Sequence, residues 1–196
     1  ARASRLFNDA ALQATVLDNV LATMREKGYA GLDIDFEYID PADREAFVAF
    51  VAAAVEKLSP YGYFVNTDLA PKTSAAQSGL LYEAHDYAAL GAASDTLFLM
   101  TYEWGYTYGP PLAVAPINQV RRVVDYAVSE ISPKKLLLGI PNYGYDWQLP
   151  YEKGVTAARS LGNEEAVALA ARYGAEIEYD PVSAAPYFYY TDGEGN

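Results

Sequence analysis

Apolar positions recur along this chain in two alternating rhythms. Between residues 9 and 27, Leu12, Val16, Leu17, Val20, Leu21 and Met24 return every three or four positions, predicting a helix capped by Asp9 and stopped by Gly28. The period then shortens. Over 31–38 an acid stands on every second residue, Asp33, Asp35 and Glu37, with Leu32, Ile34 and Phe36 between them, the alternation of a strand. Asp40-Pro41 opens a second helix, carrying Phe47, Val48, Val51, Val55 and Leu58, which Ser59-Pro60 breaks. A strand is predicted over 61–70, ending at Pro71, and a helix over about 79–90 that contains His85. The run Leu97-Phe98-Leu99-Met100 within 95–102 predicts a strand buried on both faces. A loop rich in glycine and tyrosine, 104–115, leads to a helix from Pro116 to about Ile131. A fourth strand, 136–141, reads as buried like the third.

Strand and helix thus alternate four times, the pattern of parallel βα units. Unusual residues gather in the loops after the strands, as at the C-terminal face of a (β/α) barrel. After Pro150 the rhythm changes to a helix over about 163–173 and strands near 175–179 and 187–191, followed by the turn-like Asp192-Gly193-Glu194-Gly195-Asn196. The expected organisation is a partial barrel over 1–150 and a small α+β insertion over 151–196, cut inside its hairpin.

Composition narrows the chemistry. With 196 residues, 52% of them hydrophobic, the chain is long enough for one good core and is expected to be soluble. No run is long enough to cross a membrane, and the start carries no signal-peptide pattern. A formal charge of -12 argues against a nucleic-acid partner. The absence of cysteine excludes disulfides and thiolate metal sites, and the single histidine, His85, argues against zinc. No cofactor and no metal are expected, and His85 is assigned no role. Eighteen tyrosines and two tryptophans supply either packing or surfaces on which sugar rings stack.

On a strand, Asp33, Asp35 and Glu37 share one face over roughly 13–14 Å, at a rise of about 3.3 Å per residue. Three carboxylates so close cost free energy unless one stays protonated or a partner is supplied. The residues alone leave two functional explanations beside plain solvent exposure: a divalent-metal site, or a proton donor of perturbed pKa. A metal site would need a further oxygen ligand or a cation for an anionic substrate, and the strand ends offer only Lys72.

The stretch YAGLDIDFEY resembles glycoside hydrolase family 18, the chitinase-like TIM barrels, whose fourth strand bears Asp-Gly-x-Asp-x-Asp-x-Glu. Asp33, Asp35 and Glu37 match its last three acids, while Ala30 stands where the family has its first, structural Asp. Met100-Thr101-Tyr102-Glu103 resembles the family's sixth-strand Met-x-Tyr-Asp, with Glu for Asp, and GIPNYGYDW over 139–147 follows in register. Within the family the likeness is to the spore-germination and cortical-fragment-lytic branch of Gram-positive bacteria.

The resemblance implies a fold made of the fourth to seventh strands of a (β/α)8 TIM barrel. The first three strands and the last are then missing, so a fragment of a longer protein is expected, self-associating through exposed barrel edges or pairing with the missing sequence. It also implies a retaining, substrate-assisted hydrolase of N-acetylglucosamine glycans, either chitin or peptidoglycan, working outside the cell or in the spore or cell wall. Glu37 would be the general acid and then base, Asp35 would orient the 2-acetamido group, Asp33 would share a proton with Asp35, and Tyr102 would donate to the acetamide oxygen. Glu103, Trp104, Asn142, Tyr143 and Trp147 are candidates for sugar contacts. The alternative within the resemblance is a chitinase-like protein that binds such glycans without cleaving them.

Overall fold

A computed structural model describes residues 2–193, which form two compact units. One unit runs up to Met100 and includes Val123–Leu138; the other comprises Thr101–Arg122 and the chain from Gly139 onward.

The first unit opens with α1 (Arg2–Asn8), which the sequence pattern does not reveal, and α2 (Ala10–Lys27). The Asp9 carboxylate accepts the Leu12 N–H at 3.0 Å and starts α2. Gly28 closes it in the left-handed region at φ 71°, its N–H on the Met24 carbonyl. Then come β1 (Gly31–Ile34), α3 (Arg44–Leu58), β2 (Phe64–Leu69), α4 (Tyr87–Ala93), β3 (Thr96–Leu99), α5 (Ile117–Glu130), of which this unit includes the part from Val123, and β4 (Leu136–Leu138). The strands form one parallel sheet in the order β1-β2-β3-β4, with a helix between each consecutive pair. Parallel neighbours require such crossovers, so this is the predicted succession of βα units. In the register Asp33 lies opposite Asn66, and Asp68 opposite Phe98. The core beneath is dominated by rings: Phe7, Phe36, Phe47 and Phe50 interlock with centroids 5.1 to 6.1 Å apart.

Four elements differ from expectation. The β1 ladder stops at Ile34, and the acidic segment runs on to Tyr38, whose φ of 52° turns the chain away. The predicted helix over 79–90 starts only at Tyr87, because Asp86 takes the cap position and accepts the Ala89 N–H at 3.0 Å; His85 lies in the turn before it. β3 alternates, burying Leu97 and Leu99 and leaving Thr96 and Phe98 half-covered. β4 is no buried strand: its one strand neighbour among the described residues is β3, and Leu137 and Leu138 are 49% and 46% exposed.

In the second unit β5 (Tyr143–Asp146) pairs antiparallel with β6 (Arg159–Gly162), followed by α6 (Asn163–Tyr173) and the antiparallel pair β7 (Glu178–Asp180) and β8 (Ala185–Tyr187). The β5–β6 pair spans the change of sequence pattern at residue 150, and β7 and β8 are each displaced from the predicted strands. Among the described residues no helix is long and apolar enough to cross a membrane.

Candidate active site

Beyond the end of the β1 ladder the alternation of faces persists. Ile34 is buried, Leu32 and Phe36 are partly covered, and Asp33, Asp35 and Glu37 are exposed on the other side. Phe36 enforces this: its ring is locked among Phe7, Phe47 and Phe50, so the residue after it must point away from the core. The Glu37 carboxyl is shifted upward, first by partial burial and then by the charge of Asp35. A raised carboxyl is suited to hold and deliver a proton.

β2 adds two side chains to which the sequence pattern assigns no role. Asn66 and Asp68, 7% and 8% exposed, sit on one face of β2 beside the acid row. The Asn66 amide Nδ2 donates to Asp33 Oδ1 at 2.5 Å and to Asp68 Oδ1 at 3.0 Å. Thr96 Oγ1 donates to Asn66 Oδ1 at 2.8 Å, which fixes which way the amide faces. The one amide thus ties the Asp33 and Asp68 carboxyls together. Burial, and then the charges of Asp33 and Asp35, push the Asp68 carboxyl up to about 7.

Behind the row, the chain leaving β2 is latched to the chain leaving β1. His85, 1% exposed, receives the Ala70 N–H on Nδ1 at 3.1 Å and faces the Phe36 carbonyl with Nε2 at 3.1 Å. The Tyr87 hydroxyl donates to the Ala70 carbonyl at 2.6 Å and receives the Lys72 N–H at 3.0 Å. Lys72 is itself buried, with Nζ donating to the His85 carbonyl at 3.0 Å. Its ammonium is thus committed to the latch, which takes away the one cation that the metal-site explanation could have drawn on at the strand ends. Among the described residues no group of three or more His, Asp or Glu is arranged to hold a metal ion.

The second unit holds the other candidates. Glu103 adopts a left-handed backbone, φ 69°, and its Oε1 accepts the hydroxyls of Tyr143 and Tyr145, both at 2.7 Å. Tyr143, Tyr145 and Trp147 alternate along and just past β5, with ring centroids 5.9 and 5.7 Å apart, and Trp147 Nε1 donates to the Gly109 carbonyl at 2.9 Å. Both phenols are raised by burial and then by the Glu103 hydrogen bonds, Tyr145 to about 12. Tyr145 is absent from the sequence-based candidates, although its i+2 spacing from Tyr143 is visible in the sequence. Tyr102 is half-buried and directly follows Thr101, whose hydroxyl donates to the Gly139 carbonyl at 2.9 Å. Trp104 is half-buried in a loop closed by its own N–H on Val114 and by Gly105 on Ala113, and Asn142 is exposed just before β5. A Cβ at Gly105 would stand 1.9 Å from the Leu112 carbonyl oxygen, so this loop conformation requires glycine.

The structure therefore brings Asp33, Asp35 and Glu37 together in one unit, and Glu103, Tyr143 and Trp147 in the other. Comparison with known proteins gives the chain a family. The model of the glycosyl hydrolases family 18 matches residues 3–194. The cortical fragment-lytic enzyme of Bacillus subtilis (strain 168) is 45% identical over 189 residues, 96% of this chain and 44% of that protein. The crystal structure of the Bacillus cereus spore cortex-lytic enzyme SleL superposes with a TM-score of 0.94 at 41% identity, over 98% of this chain and 44% of that one. A chitinase from Chromobacterium violaceum ATCC 12472 is similar at a TM-score of 0.86 and 29% identity, over 95% and 57% of the two chains. The chain thus spans less than half the length of the Bacillus relatives. Its four parallel βα units are part of a TIM barrel, and the chain belongs to glycosyl hydrolase family 18.

Proposed function

We propose that this chain carries the acid machinery of a glycosidase that cleaves β-linked N-acetylglucosamine polymers with retention of configuration, and that its substrate is the peptidoglycan of the spore cortex. The observation that carries the reaction class is the placement of Glu37, with its raised carboxyl, two residues beyond Asp35 on the same face. The names of the Bacillus relatives, cortical fragment-lytic and spore cortex-lytic, support cortex over chitin and work at the spore wall.

A retaining enzyme with its own nucleophile holds two carboxyls about 5 to 5.5 Å apart on opposite sides of the scissile bond. Asp35 and Glu37 leave one segment on one side, which does not suit that role. Family 18 enzymes are among the exceptions that use substrate assistance, and the acid row fits that route. Glu37 protonates the leaving glycosidic oxygen while the 2-acetamido oxygen bonds to the anomeric carbon, forming an oxazolinium ion. The Glu37 carboxylate then takes a proton from water, whose oxygen attacks that carbon and reopens the ring. Asp35 receives the acetamide N–H, and Asp33 shares a proton with Asp35. The rings of Tyr143 and Trp147, with Glu103, Trp104 and Asn142, offer stacking and hydrogen bonds to further sugars.

The test is sugar release from N-acetylglucosamine oligomers, their de-acetylated counterparts and spore-cortex fragments, by a version of the chain extended to the full length of its relatives. Acetylated substrates should be cleaved, de-acetylated ones spared, and EDTA should have no effect. Equal cleavage of de-acetylated oligomers contradicts substrate assistance, loss of activity in EDTA favours a metal site, and binding without turnover makes this a glycan-binding protein.

A further inference from the structure

Asp68 is a buried carboxyl on the strand beside the acid row that the proposed mechanism does not use. Its surroundings are unusual for a buried acid. From β1 it faces Asp33 and from the segment just past β1 Asp35, both acidic; its own strand contributes Asn66, and β3 contributes Thr96, which orients that amide. Among the described residues no cation bears on its charge. A buried carboxylate facing two others with one amide N–H for a partner is poorly supported, whereas a protonated carboxyl in that position can donate to Asp33. The second Asp33 partner, Asn66 Nδ2, bridges the two acids and holds them at a fixed separation.

We propose that Asp68 is a positioning residue for this hydrolase, a fourth carboxyl of the row that acts through Asp33 by donating a hydrogen bond to it. With Asp68 protonated, Asp33 keeps its orientation beside Asp35, and the row carries one negative charge fewer. Once Asp68 loses its proton, its buried carboxylate repels the exposed one of Asp33, Asp33 is displaced from its partner, and the added charge weakens the alignment of Asp35. The upward displacement of Asp68 to about 7 places that change near neutrality. The enzyme should therefore lose turnover as the pH rises past neutral, through a residue that never touches the sugar.

The proposal rests on the hydrolase reading, and the experiment separates the two. In the extended protein, kcat and KM are measured across pH for wild type, Asp68→Asn and Asp68→Ala, and thermal unfolding is followed over the same range. Asn cannot ionise and keeps an N–H for Asp33 at every pH. Asp68→Asn should lower kcat at pH 6 by about three- to tenfold, leave KM unchanged, and move the alkaline limb upward by about one pH unit or more. Asp68→Ala should lower kcat further, with no such rescue. The unfolding midpoint of Asp68→Asn should exceed that of wild type by more at pH 8 than at pH 5. An active wild type whose pH profile coincides with that of Asp68→Asn overturns the positioning role. A wild type that binds glycan and never cleaves it overturns the hydrolase reading and the positioning role with it. The unfolding data alone then report whether Asp68 is coupled to Asp33.

Discussion

His85 donates its Nε2–H to the carbonyl oxygen of Phe36, the residue immediately before Glu37, at 3.1 Å. The proton position follows from the other nitrogen: the Ala70 backbone N–H can only donate, so Nδ1 must accept and Nε2 must carry the hydrogen. Glu37 is thus held from behind by two attachments of one neighbour, the Phe36 ring in the aromatic core and the Phe36 carbonyl on His85. His85→Ala should orphan a buried N–H and a buried carbonyl, destabilising the protein by roughly 2–4 kcal/mol in urea unfolding. It should also lower kcat more than it raises KM.

Two buried groups give stability opposite dependences on pH. Burial holds His85 at about 4, below its ordinary 6.5, so the unfolded chain binds the extra proton and stability falls as pH drops from about 6.5 to 4. Asp68 is raised from 3.8 to about 7, so the folded state binds the extra proton and stability falls as pH rises through that window. The contributions oppose each other between pH 4 and 6.5. Removing one should expose the other: His85→Gln should leave a stability that declines with rising pH, and Asp68→Asn one that increases. Thermal midpoints across this range check both slopes.

Glu103 is a non-glycine residue at φ 69°, and two tyrosine hydroxyls converge on its carboxylate. Either hydroxyl alone can keep that side chain in place. Tyr143→Phe and Tyr145→Phe should therefore each cost about 0.5–1.5 kcal/mol, and the double variant more than their sum. A double-mutant cycle by unfolding, repeated with glycan affinity, measures the coupling.

What the sequence discloses follows the range of the interactions involved. The α2 caps at Asp9 and Gly28 are local and legible, as is the alternation of Asp33, Asp35 and Glu37. The start of α4 is hidden in the sequence because Leu80, Leu81 and Ala84 keep an apolar rhythm through a turn, while Asp86 supplies the actual cap. Exposure of β4 depends on what lies beside it, which its own residues Leu136-Leu137-Leu138 do not encode. β6 has the sequence Arg-Ser-Leu-Gly, without a β-branched residue, so neither it nor its pairing with β5 stands out, and Tyr145 passes unnoticed. The Asp33–Asn66 bond and the His85–Phe36 bond join residues 33 and 49 positions apart; they arise from the β1–β2 register and the packing of the turn before α4.

Glu37 is proposed to deliver the proton in cleavage of an N-acetylglucosamine linkage. The most direct measurement is single-turnover cleavage of N-acetylglucosamine oligomers by the extended protein and its Glu37→Gln variant, with oligomer affinity measured alongside. Removal of a general acid is predicted to lower the rate by about 10²–10⁴-fold while affinity stays within a few-fold of wild type. A Glu37→Gln protein that cleaves at the wild-type rate would contradict the account.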